Sequence, residues 1–337
     1  MEVTIEAFPW AGELARPDLA AINRIHNAAW AEWVPGDHPS SDAGFVDMDR
    51  FIAPPERMHR RLARTADGTV AGFAFAFWRE GEPGGSTLRA FVDPQHRRQG
   101  VGRALGADLA ATARAAERTG LTVEIAPSSP AEAAVRGAKG FSAGLVIELL
   151  RADVREVDRG LLEGWRAAGE AVPGYSLVAY DDRCPSDDLA GDFIAARAVM
   201  NDAPRPEGLA EQEFTLSELR GLEDASIAAH QSWWNVGVRH DESGALVGLT
   251  ELYLPAKRPW MAFQGDTGVH PDHRGHGLGA WMKAVNHLRL ADERPGVEWV
   301  QTWNAQSNEP MQRINRALGF EPKQHFQAWY TPLAPLP

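Results

Sequence analysis

Two segments of eleven residues in this chain are copies of one glycine-rich loop. VDPQHRRQGVG occupies residues 92–102 and VHPDHRGHGLG occupies residues 269–279, so corresponding positions lie 177 residues apart. Six of the eleven positions are identical, and each segment follows a strand-like run and precedes residues with helical spacing. One such loop is a weak signal, but the repeat predicts a duplicated domain. A chain of 337 residues is long enough for two domains of ordinary size.

The sequence around the two loops predicts the same order of elements in each half. We expect a strand, a helix, a hairpin, the strand that enters the loop, the helix that leaves it, and then a strand, a short helix and a last strand. The predicted fold class is α/β with mixed sheets. Two tandem domains, residues 1–155 and 174–337, are expected to be joined by a linker helix within residues 156–173.

Composition and charge exclude several classes of protein. With 44% hydrophobic and 24% charged residues, the chain has an ordinary globular mix, and no apolar run approaches the ~20 residues of a membrane span. The first residues, MEVTIEAFPW, lack the features of a signal peptide, so we expect a cytoplasmic protein. The single cysteine, Cys184, excludes a disulfide framework. A net charge of −12 argues against nucleic acid as a partner and suits a cationic small substrate.

The position of each loop, between a strand and a helix, indicates phosphate binding. Unpaired N–H groups and the positive end of a helix dipole attract a pyrophosphate. In the second loop, Gly277 and Gly279 let the backbone come close to a ligand, and Arg274 adds a fixed positive charge. Neither loop has the lysine of a nucleotide-hydrolysing P-loop or the glycine spacing of a dinucleotide-binding fold. The sequence therefore predicts a phosphorylated cofactor of another kind.

Both loops resemble the acetyl-CoA signature of the GCN5-related N-acetyltransferase (GNAT) superfamily. That signature, Gln/Arg-x-x-Gly-x-Gly/Ala after a strand ending in Val-x-Pro, is matched by RRQGVG at residues 97–102 and by RGHGLG at residues 274–279. The order of elements is also similar to that fold. The two copies cover nearly the whole chain, as in the tandem acetyltransferases that include mycothiol synthase.

The resemblance implies acetyl-CoA as the cofactor and acyl transfer as the activity. The cofactor-binding residues that it implies are Val269, Arg274, Gly275, His276, Gly277, Leu278, Gly279, Asn304 and Asn308 in the second copy, and Val92, Arg97, Arg98, Gly100 and Gly102 in the first.

The two copies differ at a position that matters for acyl transfer. Asp266 lies three residues before the second loop, whereas the equivalent residue of the first copy is Arg89. In the superfamily, a carboxylate near this place often takes the proton of the acceptor amine, whose pKa of ~10 keeps it mostly protonated at neutral pH. The second copy also has Asn304 and Asn308 in a block that resembles the superfamily's pantetheine-binding asparagines. We therefore predict that the second copy is catalytic, and that the first retains a structural or regulatory cofactor site or is degenerate.

Two further residues are candidates for the catalytic chemistry. Glu251 shares one face of its strand with Leu249 and Tyr253, which makes it a second base, an anion that binds the amine, or a solvated strand end. Asp266 itself has the alternative role of a strand-edge carboxylate that pairs with the loop. Asn315 stands where many members of the superfamily have a tyrosine that protonates the departing thiolate, and we expect it to orient a water molecule or the sulfur.

The acceptor site is less clearly marked. Trp233 and Trp303 are candidates for the lining of a pocket for an organic or cationic amine, with core packing as the alternative. Asn201 and Asp202 follow the first helix of the second copy, where this fold borders the acceptor entrance, and their alternative role is an ordinary helix end. His270, His273 and His276 all lie in or beside the loop pattern itself, so no metal is predicted.

The expected activity is transfer of an acetyl group from acetyl-CoA to a primary amine of a small molecule. We expect direct attack by the amine, because Cys184 lies far in sequence from both loops. Two alternatives stay open: a non-catalytic acyl-CoA-binding or sensor protein, and an enzyme that acetylates a protein or peptide. The expected partner is the small amine, without nucleic acid or a membrane. The oligomeric state is left open, with a monomer among the options.

Overall fold

A computed structural model describes residues 2–52, 55–81, 84–127, 129–138, 140–204 and 211–333. These residues form two compact units. The first unit contains the described residues up to Glu148 together with those from Lys323 onward, and the second contains Leu149–Pro204 and Glu211–Pro322. No helix in the described ranges is both long and apolar enough to span a lipid bilayer.

The first unit has the predicted order of elements and one helix that was not predicted. Its elements are β1 (Thr4–Phe8), α1 (Arg16–Trp33), α2 (Asp42–Arg50), β2 (Glu56–Arg64), β3 (Val70–Arg79), β4 (Ser86–Val92), α3 (Val101–Ala115), β5 (Gly120–Ile125), α4 (Pro130–Arg136) and the first half of β6 (Ser142–Asp153). Strands β1 to β4 pair in sequence as an antiparallel sheet, and β5 adds to β4 in parallel. The unpredicted helix α2 begins where the Ser41 hydroxyl accepts a hydrogen bond from the Gly44 N–H.

The second unit repeats this plan. Its elements are α5 (Arg159–Glu170), β7 (Tyr175–Asp181), α6 (Asp187–Arg197), α7 (Leu216–Ala228), β8 (Gln231–His240), β9 (Leu246–Pro255), β10 (Met261–Val269), α8 (Leu278–Glu293), β11 (Trp299–Ala305), α9 (Glu309–Ala317) and the start of β12 (Glu321–Pro332). Strands β7 to β10 are antiparallel, and β11 pairs with β10 in parallel. The predicted α/β class with mixed sheets is confirmed.

The linker helix predicted from the sequence is α5, and it packs into the second unit. Leu162 of α5 is buried in the same apolar cluster as Leu288 of α8. A Cβ atom at Gly169 would lie only 2.1 Å from Cγ of Trp281, so the α5 backbone touches that indole ring. Because α5 covers one side of α8, that helix is buried on more than the single apolar face that its sequence indicates.

The last strands of the two sequence copies are exchanged. We predicted that each would complete its own copy, but β12 pairs antiparallel with β5, in the first unit. The second half of β6, from Leu149 to Asp153, belongs to the second unit, where it neighbours β11. The observed units therefore differ from the predicted division into residues 1–155 and 174–337. An alternating apolar pattern identifies a strand but does not name its partner, which is why the sequence did not reveal the exchange.

Replacing Phe326 tests this exchange. Phe326 of β12 is 4% exposed, and its ring centroid lies 5.2 Å from that of Trp33 in α1, nearly perpendicular to it. We expect Phe326→Ala to destabilise the first unit by ~3–5 kcal/mol through the cavity it leaves. Hydrogen exchange should then show lost protection in β5 and α1 with β8 and β9 unchanged.

Phe320 is the matched control, because it is equally buried but packs in the second unit. Phe320→Ala should expose β10 and β11 and leave β5 protected. Loss of protection in the second unit on Phe326→Ala would contradict the assignment of β12.

Candidate active site

Both glycine loops have the same backbone shape. Gly100 and Gly277 precede helices α3 and α8 in the left-handed conformation, with φ of +92° and +74°. Gly275 also has a positive φ, +86°, and at the equivalent place in the first loop Arg98 adopts φ of +62°, which is uncommon for a residue with a side chain. A Cβ at Gly275 or Gly277 would meet nothing within 4 Å. Both Cβ positions therefore face open space at the start of α8, where unpaired amide groups of a helix attract anions.

The arginine of each loop holds the loop in place. Arg274 donates from Nε to the Val269 carbonyl oxygen at 2.9 Å and from Nη2 to Asp202 Oδ2 at 2.8 Å. In the first unit, Arg97 pairs with Glu32 at 2.8 Å. Because these contacts occupy part of each guanidinium, the first role of the arginine is to brace the loop against its strand and an acidic neighbour.

The candidate acceptor residues Asn201 and Asp202 lie next to this brace. Asp202 forms the ion pair with Arg274, and the Asn201 side chain exchanges two hydrogen bonds with the Gln212 backbone, each of 2.9 Å. Both residues follow α6 in a 3-10 turn. In this arrangement they support the second glycine loop and the segment at Gln212.

Strand β10 is irregular where it approaches the second loop. Its pairing with β9 shifts register between Gln264 and Thr267, which marks a bulge, and its recorded pairing with β11 covers only Met261–Phe263. Beyond Phe263 this ladder ends, although the Thr302 hydroxyl of β11 still donates to the Gln264 carbonyl oxygen at 3.1 Å. We call the region between β10 and β11 from Gln264 onward the gap. Strand β4 of the first unit pairs with β3 from Thr87 to Val92 with no such shift. The bulge therefore distinguishes the loop-entering strand of the second unit from that of the first.

Three charged side chains meet at the bulge. Arg197, at the end of α6, donates from Nη1 to Glu251 Oε1 at 2.5 Å and from Nη2 to Asp266 Oδ2 at 2.9 Å. The Asp266 N–H also points to Glu251 Oε2 at 3.3 Å. The structure thus brings together the two carboxylates singled out in the sequence. Arg197 was missed, because a single arginine at a helix end carries no local signal.

Burial governs the charge state of this cluster. Glu251 is 2% exposed, and burial raises its pKa to about 7 against the opposing pull of Arg197. Burial also acts to lower the pKa of Arg197, but the charges of Glu251 and Asp266 outweigh it and hold that pKa above its ordinary value. The Asp266 side chain is 35% exposed and is the accessible end of the cluster. A buried carboxyl that titrates near neutrality beside an accessible one suits proton transfer.

Trp233 contacts the cluster indirectly, through Tyr253. Its indole is fully buried and stacks on the Tyr253 ring at a centroid distance of 5.5 Å, and the Tyr253 hydroxyl donates to Glu251 Oε2 at 3.3 Å. Trp303, the other candidate for the acceptor pocket, is 38% exposed on β11. Of the two tryptophans, only Trp303 therefore presents a surface to a ligand.

The two asparagines after β10 have different surroundings. Asn304 of β11 is buried, and its Nδ2 has no hydrogen-bond partner among the described residues. An unpaired buried N–H costs ~1–3 kcal/mol, so a cofactor carbonyl in the gap would satisfy it. Asn308 is the N-cap of α9 and accepts from the Met311 N–H. Asn304 is therefore the better fit to a pantetheine arm.

A buried polar stripe runs along α8 beside the gap. Lys283 is 1% exposed, and its Nζ donates to Asn315 Oδ1 at 2.8 Å. One turn later, His287 Nε2 lies 3.4 Å from Gln264 Oε1 on β10. Burial lowers the pKa of Lys283 to about 7. Burial and the Lys283 charge lower the pKa of His287 to about 3.

Sequence reasoning identified Asn315 but missed Lys283 and His287. The repeat offers the signal that was overlooked, because 177 residues earlier the first copy has Gly106 and Ala110 at these positions. The stripe is therefore specific to the second unit.

The histidines of the second loop lie on its outer side. His273 Nδ1 is 2.9 Å from the Tyr175 hydroxyl, and its ring is within 6 Å of those of His240 and His270. Across the described ranges, no three His, Cys, Asp or Glu side chains are grouped so that they could hold a metal ion.

Comparison with known proteins assigns the family. The model of the Acetyltransferase (GNAT) family matches residues 22–136, within the first unit. A solved tandem GNAT protein from the clavulanic acid biosynthesis pathway is 30% identical and superposes with a TM-score of 0.77 over 100% of both chains. The chain belongs to the GNAT superfamily. It is an acetyl-transferring enzyme built from two GNAT domains, and GNAT acetyltransferases use acetyl-CoA.

Two mycothiol acetyltransferases also match the present chain over most of their length. Mycothiol acetyltransferase of Salinispora tropica is 28% identical over 323 residues, which is 91% of each chain. Mycothiol acetyltransferase of Clavibacter sepedonicus is 27% identical over 329 residues, covering 94% of this chain and 96% of the relative. These similarities extend through both units.

Lys283→Met is expected to change the pH dependence of stability. The amine has an ordinary pKa of 10.5 and a folded-state pKa of about 7, so between these values the unfolded chain binds a proton that the folded chain lacks. The free energy of unfolding of the wild-type protein should therefore rise with pH across this window, by ~1.4 kcal/mol per unit relative to the variant. Urea unfolding at about pH 7.5, 8.5 and 9.5 measures the difference.

The exposed Lys257 provides the control. The free energy of unfolding of Lys257→Met should differ from that of the wild-type protein by the same amount at each pH. An equally constant difference for Lys283→Met would mean that Lys283 keeps its ordinary titration in the fold.

Proposed function

We propose that the second domain transfers an acetyl group from acetyl-CoA to a primary amine of a small molecule, by direct attack of the amine on the thioester. The observation that carries this proposal is the Asp266–Arg197–Glu251 cluster at the bulge of β10, three residues before the glycine loop. The cluster places an accessible carboxylate next to the strand that leads to the cofactor loop.

The cofactor site of the second domain is proposed from three features. The α8 N-terminus and the open backbone at Gly275 and Gly277 would hold the diphosphate. Asn304 would bind an acceptor group of the pantetheine arm in the gap between β10 and β11. When bound, acetyl-CoA supplies the acetyl group as a thioester.

Asp266 is proposed as the proton acceptor. Above pH 7, two carboxylates face one guanidinium in this cluster, and their net charge of about −1 favours binding of an ammonium group. Only the neutral amine attacks a thioester, so Asp266 takes the proton and passes it to solvent across its exposed edge. Glu251 and Arg197 hold the Asp266 carboxylate at the bulge.

The first domain lacks the equivalents of these groups. At the position of Asp266 it has Arg89, which pairs with Glu124. Because a guanidinium does not accept a proton and β4 has no bulge at this place, we assign catalysis to the second domain. The first domain is proposed to retain a structural or regulatory acyl-CoA site, because its loop backbone is the same.

Direct attack and a small acceptor have separate support. Cys184 is 2% exposed and burial raises the pKa of its thiol, so it is a poor nucleophile for an acyl-enzyme intermediate. The matched curated relatives are named for acetylation linked to mycothiol, a small molecule. The net charge of −12 further favours a cationic acceptor over a nucleic acid.

Gly277→Val and Gly100→Val form a matched pair that tests which loop supports catalysis. Valine at Gly277 places a branched side chain at a positive φ and fills the space in front of the α8 amides. We expect KM for acetyl-CoA to rise at least about tenfold, a loss of ~1.4 kcal/mol in binding. The rate of thiol release from acetyl-CoA, measured with a panel of small primary amines, gives this KM. Gly100→Val should leave both the rate and the KM for acetyl-CoA unchanged. If Gly100→Val raised this KM and Gly277→Val did not, catalysis would be assigned to the first domain.

Substitutions in the carboxylate cluster should separate proton transfer from binding. Asp266→Asn is expected to lower kcat by ~10²–10⁴-fold with little change in KM for acetyl-CoA. The wild-type rate should rise as pH increases through about 7, because Glu251 loses its proton there and the cluster gains its negative charge. Glu251→Gln should remove that rise. Steady-state thiol release between about pH 6 and 9 measures both effects.

Glu242, in the exposed turn between β8 and β9, serves as the control carboxylate. Glu242→Gln should reproduce the wild-type rate and pH profile. A fully active Asp266→Asn would rule out Asp266 as the base.

A further inference from the structure

Four histidines and a tyrosine lie together beside the second glycine loop, and the proposed acetyl transfer assigns no role to their rings. We call this group the histidine cluster; its members are His240, His270, His273, His276 and Tyr175. The Tyr175 centroid lies 5.5 Å from that of His240 and 5.8 Å from that of His273. It lies 5.7 Å from that of His276, and His270 joins the group at 5.9 Å from His273.

Two of the imidazoles are held through Nδ1 by hydroxyl groups. His240 Nδ1 lies 2.9 Å from Ser243 Oγ, and His273 Nδ1 lies 2.9 Å from the Tyr175 hydroxyl. Within the described part of the chain, Nε2 of each ring has no hydrogen-bond partner. Each ring is therefore fixed on one side and has its second nitrogen left for a ligand.

The ring of His276 shows that an anion bound there must bind together with a proton. His276 Nδ1 lies 3.3 Å from the His273 carbonyl oxygen, and a carbonyl only accepts, so Nδ1 carries the hydrogen. In the neutral ring Nε2 is then an acceptor and repels an anion. Only the protonated ring donates from Nε2. Uptake of a proton therefore turns this side of the loop into an anion-binding surface.

The charges around the cluster oppose its protonation in the absence of an anion. Burial and the positive charges of three neighbouring histidines lower the pKa of His273, against the opposing pull of Asp272. The Asp272 side chain is 84% exposed and lies 3.8 Å from His270 Nδ1, so water screens much of its charge. An anion would offset the repulsion among the imidazolium groups and raise their pKa.

The remaining charged groups nearby do not supply that anion. Asp241, at the end of β8, accepts a hydrogen bond from the Ser176 hydroxyl at 2.6 Å. Glu242 is exposed in the turn after β8, and Arg274 is paired with Asp202. The first turn of α8 contains no acidic residue. The cluster is thus left to an anion from outside the chain.

The second loop has titratable groups where the first has permanent charges. Residues 92–103 contain three arginines and one histidine, whereas the corresponding residues 269–280 contain one arginine and three histidines. The chain as a whole has a net charge of −12, so an anionic cofactor meets an unfavourable long-range field. Protonated imidazoles would compensate for this field at the second loop.

The strand ends beside the two loops differ in the same way. The first register pair of β7 and β8 is Tyr175 with His240, and that of β1 and β2 is Thr4 with Arg64. Arg64 is already neutralised by Asp18 at 2.7 Å. The histidine cluster therefore belongs to the second domain alone.

We propose that the histidine cluster binds the 3′-phosphate of coenzyme A, a phosphomonoester dianion, and takes up a proton from solvent as it does so. This inference rests on the proposed cofactor site of the second domain. His276 lies between Gly275 and Gly277, which are proposed to hold the diphosphate, and its ring turns towards Tyr175. In coenzyme A one ribose carries both the 3′-phosphate and the diphosphate. The loop and the cluster would bind these two neighbouring groups, with Nε2–H donating to phosphate oxygens.

The extra affinity that the cluster provides should depend on pH. An imidazole with the ordinary pKa of ~6.5 is mostly neutral at about pH 7.2, whereas a phosphomonoester with a second pKa of ~6 is mostly a dianion. The bound phosphate raises the imidazole pKa. The gain in affinity is therefore complete below the pKa of the free ring and is lost as pH rises through the pKa of the ring in the complex.

Titration calorimetry with coenzyme A and dephospho-coenzyme A tests the proposal without any acceptor. We use the full-length protein with Gly100→Val, so that the second loop is the one measured, and a chelator removes metal ions from the histidines. We expect coenzyme A to bind about tenfold more tightly than dephospho-coenzyme A at about pH 6.5 and within about twofold of it at about pH 8.5. At about pH 7.2, buffers of different ionisation enthalpy should show uptake of roughly one proton with coenzyme A and about none with dephospho-coenzyme A.

Two substitutions of His276 separate its charge from its packing. His276→Gln should bring the two affinities to within about twofold of each other at about pH 6.5. His276→Lys carries a permanent charge, so it should keep a preference of about tenfold for coenzyme A even at about pH 8.5. Unchanged affinity for dephospho-coenzyme A shows that each variant is folded at the site. His325→Gln, at an exposed position of β12 in the first unit, is the control and should change neither affinity.

Equal affinities for the two ligands at about pH 6.5 would overturn this inference and leave the proposed cofactor site standing. A preference for coenzyme A that survives in His276→Gln with its pH dependence intact would also overturn it. If inorganic phosphate shifted the histidine NMR signals of the cluster while the two ligands bound equally, the cluster would be a site for free phosphate and the assignment to the cofactor would fail. Failure of both ligands to bind would contradict the proposed cofactor site itself.

Discussion

Strand β10 pairs with β11 over three residues only, and the polar groups of the second domain gather where the two strands part. A separating pair of parallel strands leaves backbone and side-chain polar groups without the partners that a continuous ladder provides. Gln264, Thr302 and Asn304 lie along this opening, and one of them keeps an unpaired buried N–H. The bulge at Asp266 lies beside this opening; there the Asp266 N–H points to Glu251 Oε2 at 3.3 Å and the Asp266 carboxylate pairs with Arg197.

The duplicated domains combine one loop shape with different surrounding residues. Both loops have left-handed glycines, a braced arginine and a helix start, so the backbone geometry of the loop repeats. The residues around the loop do not repeat. Arg89 replaces Asp266, and Gly106 replaces Lys283. The family model matches the first domain, whereas Glu251 and Lys283, whose pKa values burial shifts to about 7, lie in the second. Similarity of the two loops therefore does not extend to the titratable residues around them.

The second domain keeps two arrangements that work against its stability. Lys283 is buried without an anion, and Glu251 is buried with a pKa raised by desolvation. Both cost folding free energy at neutral pH because the charged forms are poorly solvated. Arg197 offsets part of this cost for Glu251, and the apolar clusters around α8 supply the remaining stabilisation. Sites with perturbed titration of this kind tend to coincide with function.

The sequence by itself determined the parts of this protein that depend on near neighbours along the chain. As predicted, a strand leads into the second loop and a helix follows it, namely β10 (Met261–Val269) and α8 (Leu278–Glu293), and the position of Asp266 relative to the loop follows from counting residues. Helix α7 was missed although Thr215 and Glu218 form a capping box that the sequence displays. That omission was a failure of interpretation, since the information was local.

Only the tertiary structure decided which distant groups meet. Arg197 lies 54 residues from Glu251 and 69 from Asp266, and nothing in its local sequence indicates that contact. The exchange of β12 and β6 depends on which sheet offers a free edge, and an alternating strand pattern does not identify one. The burial of Lys283 depends on α5 and α9 covering a helix whose sequence shows one apolar face. Local backbone preferences act over a few residues, whereas partners, burial and pKa are set by elements that the chain brings together from far apart.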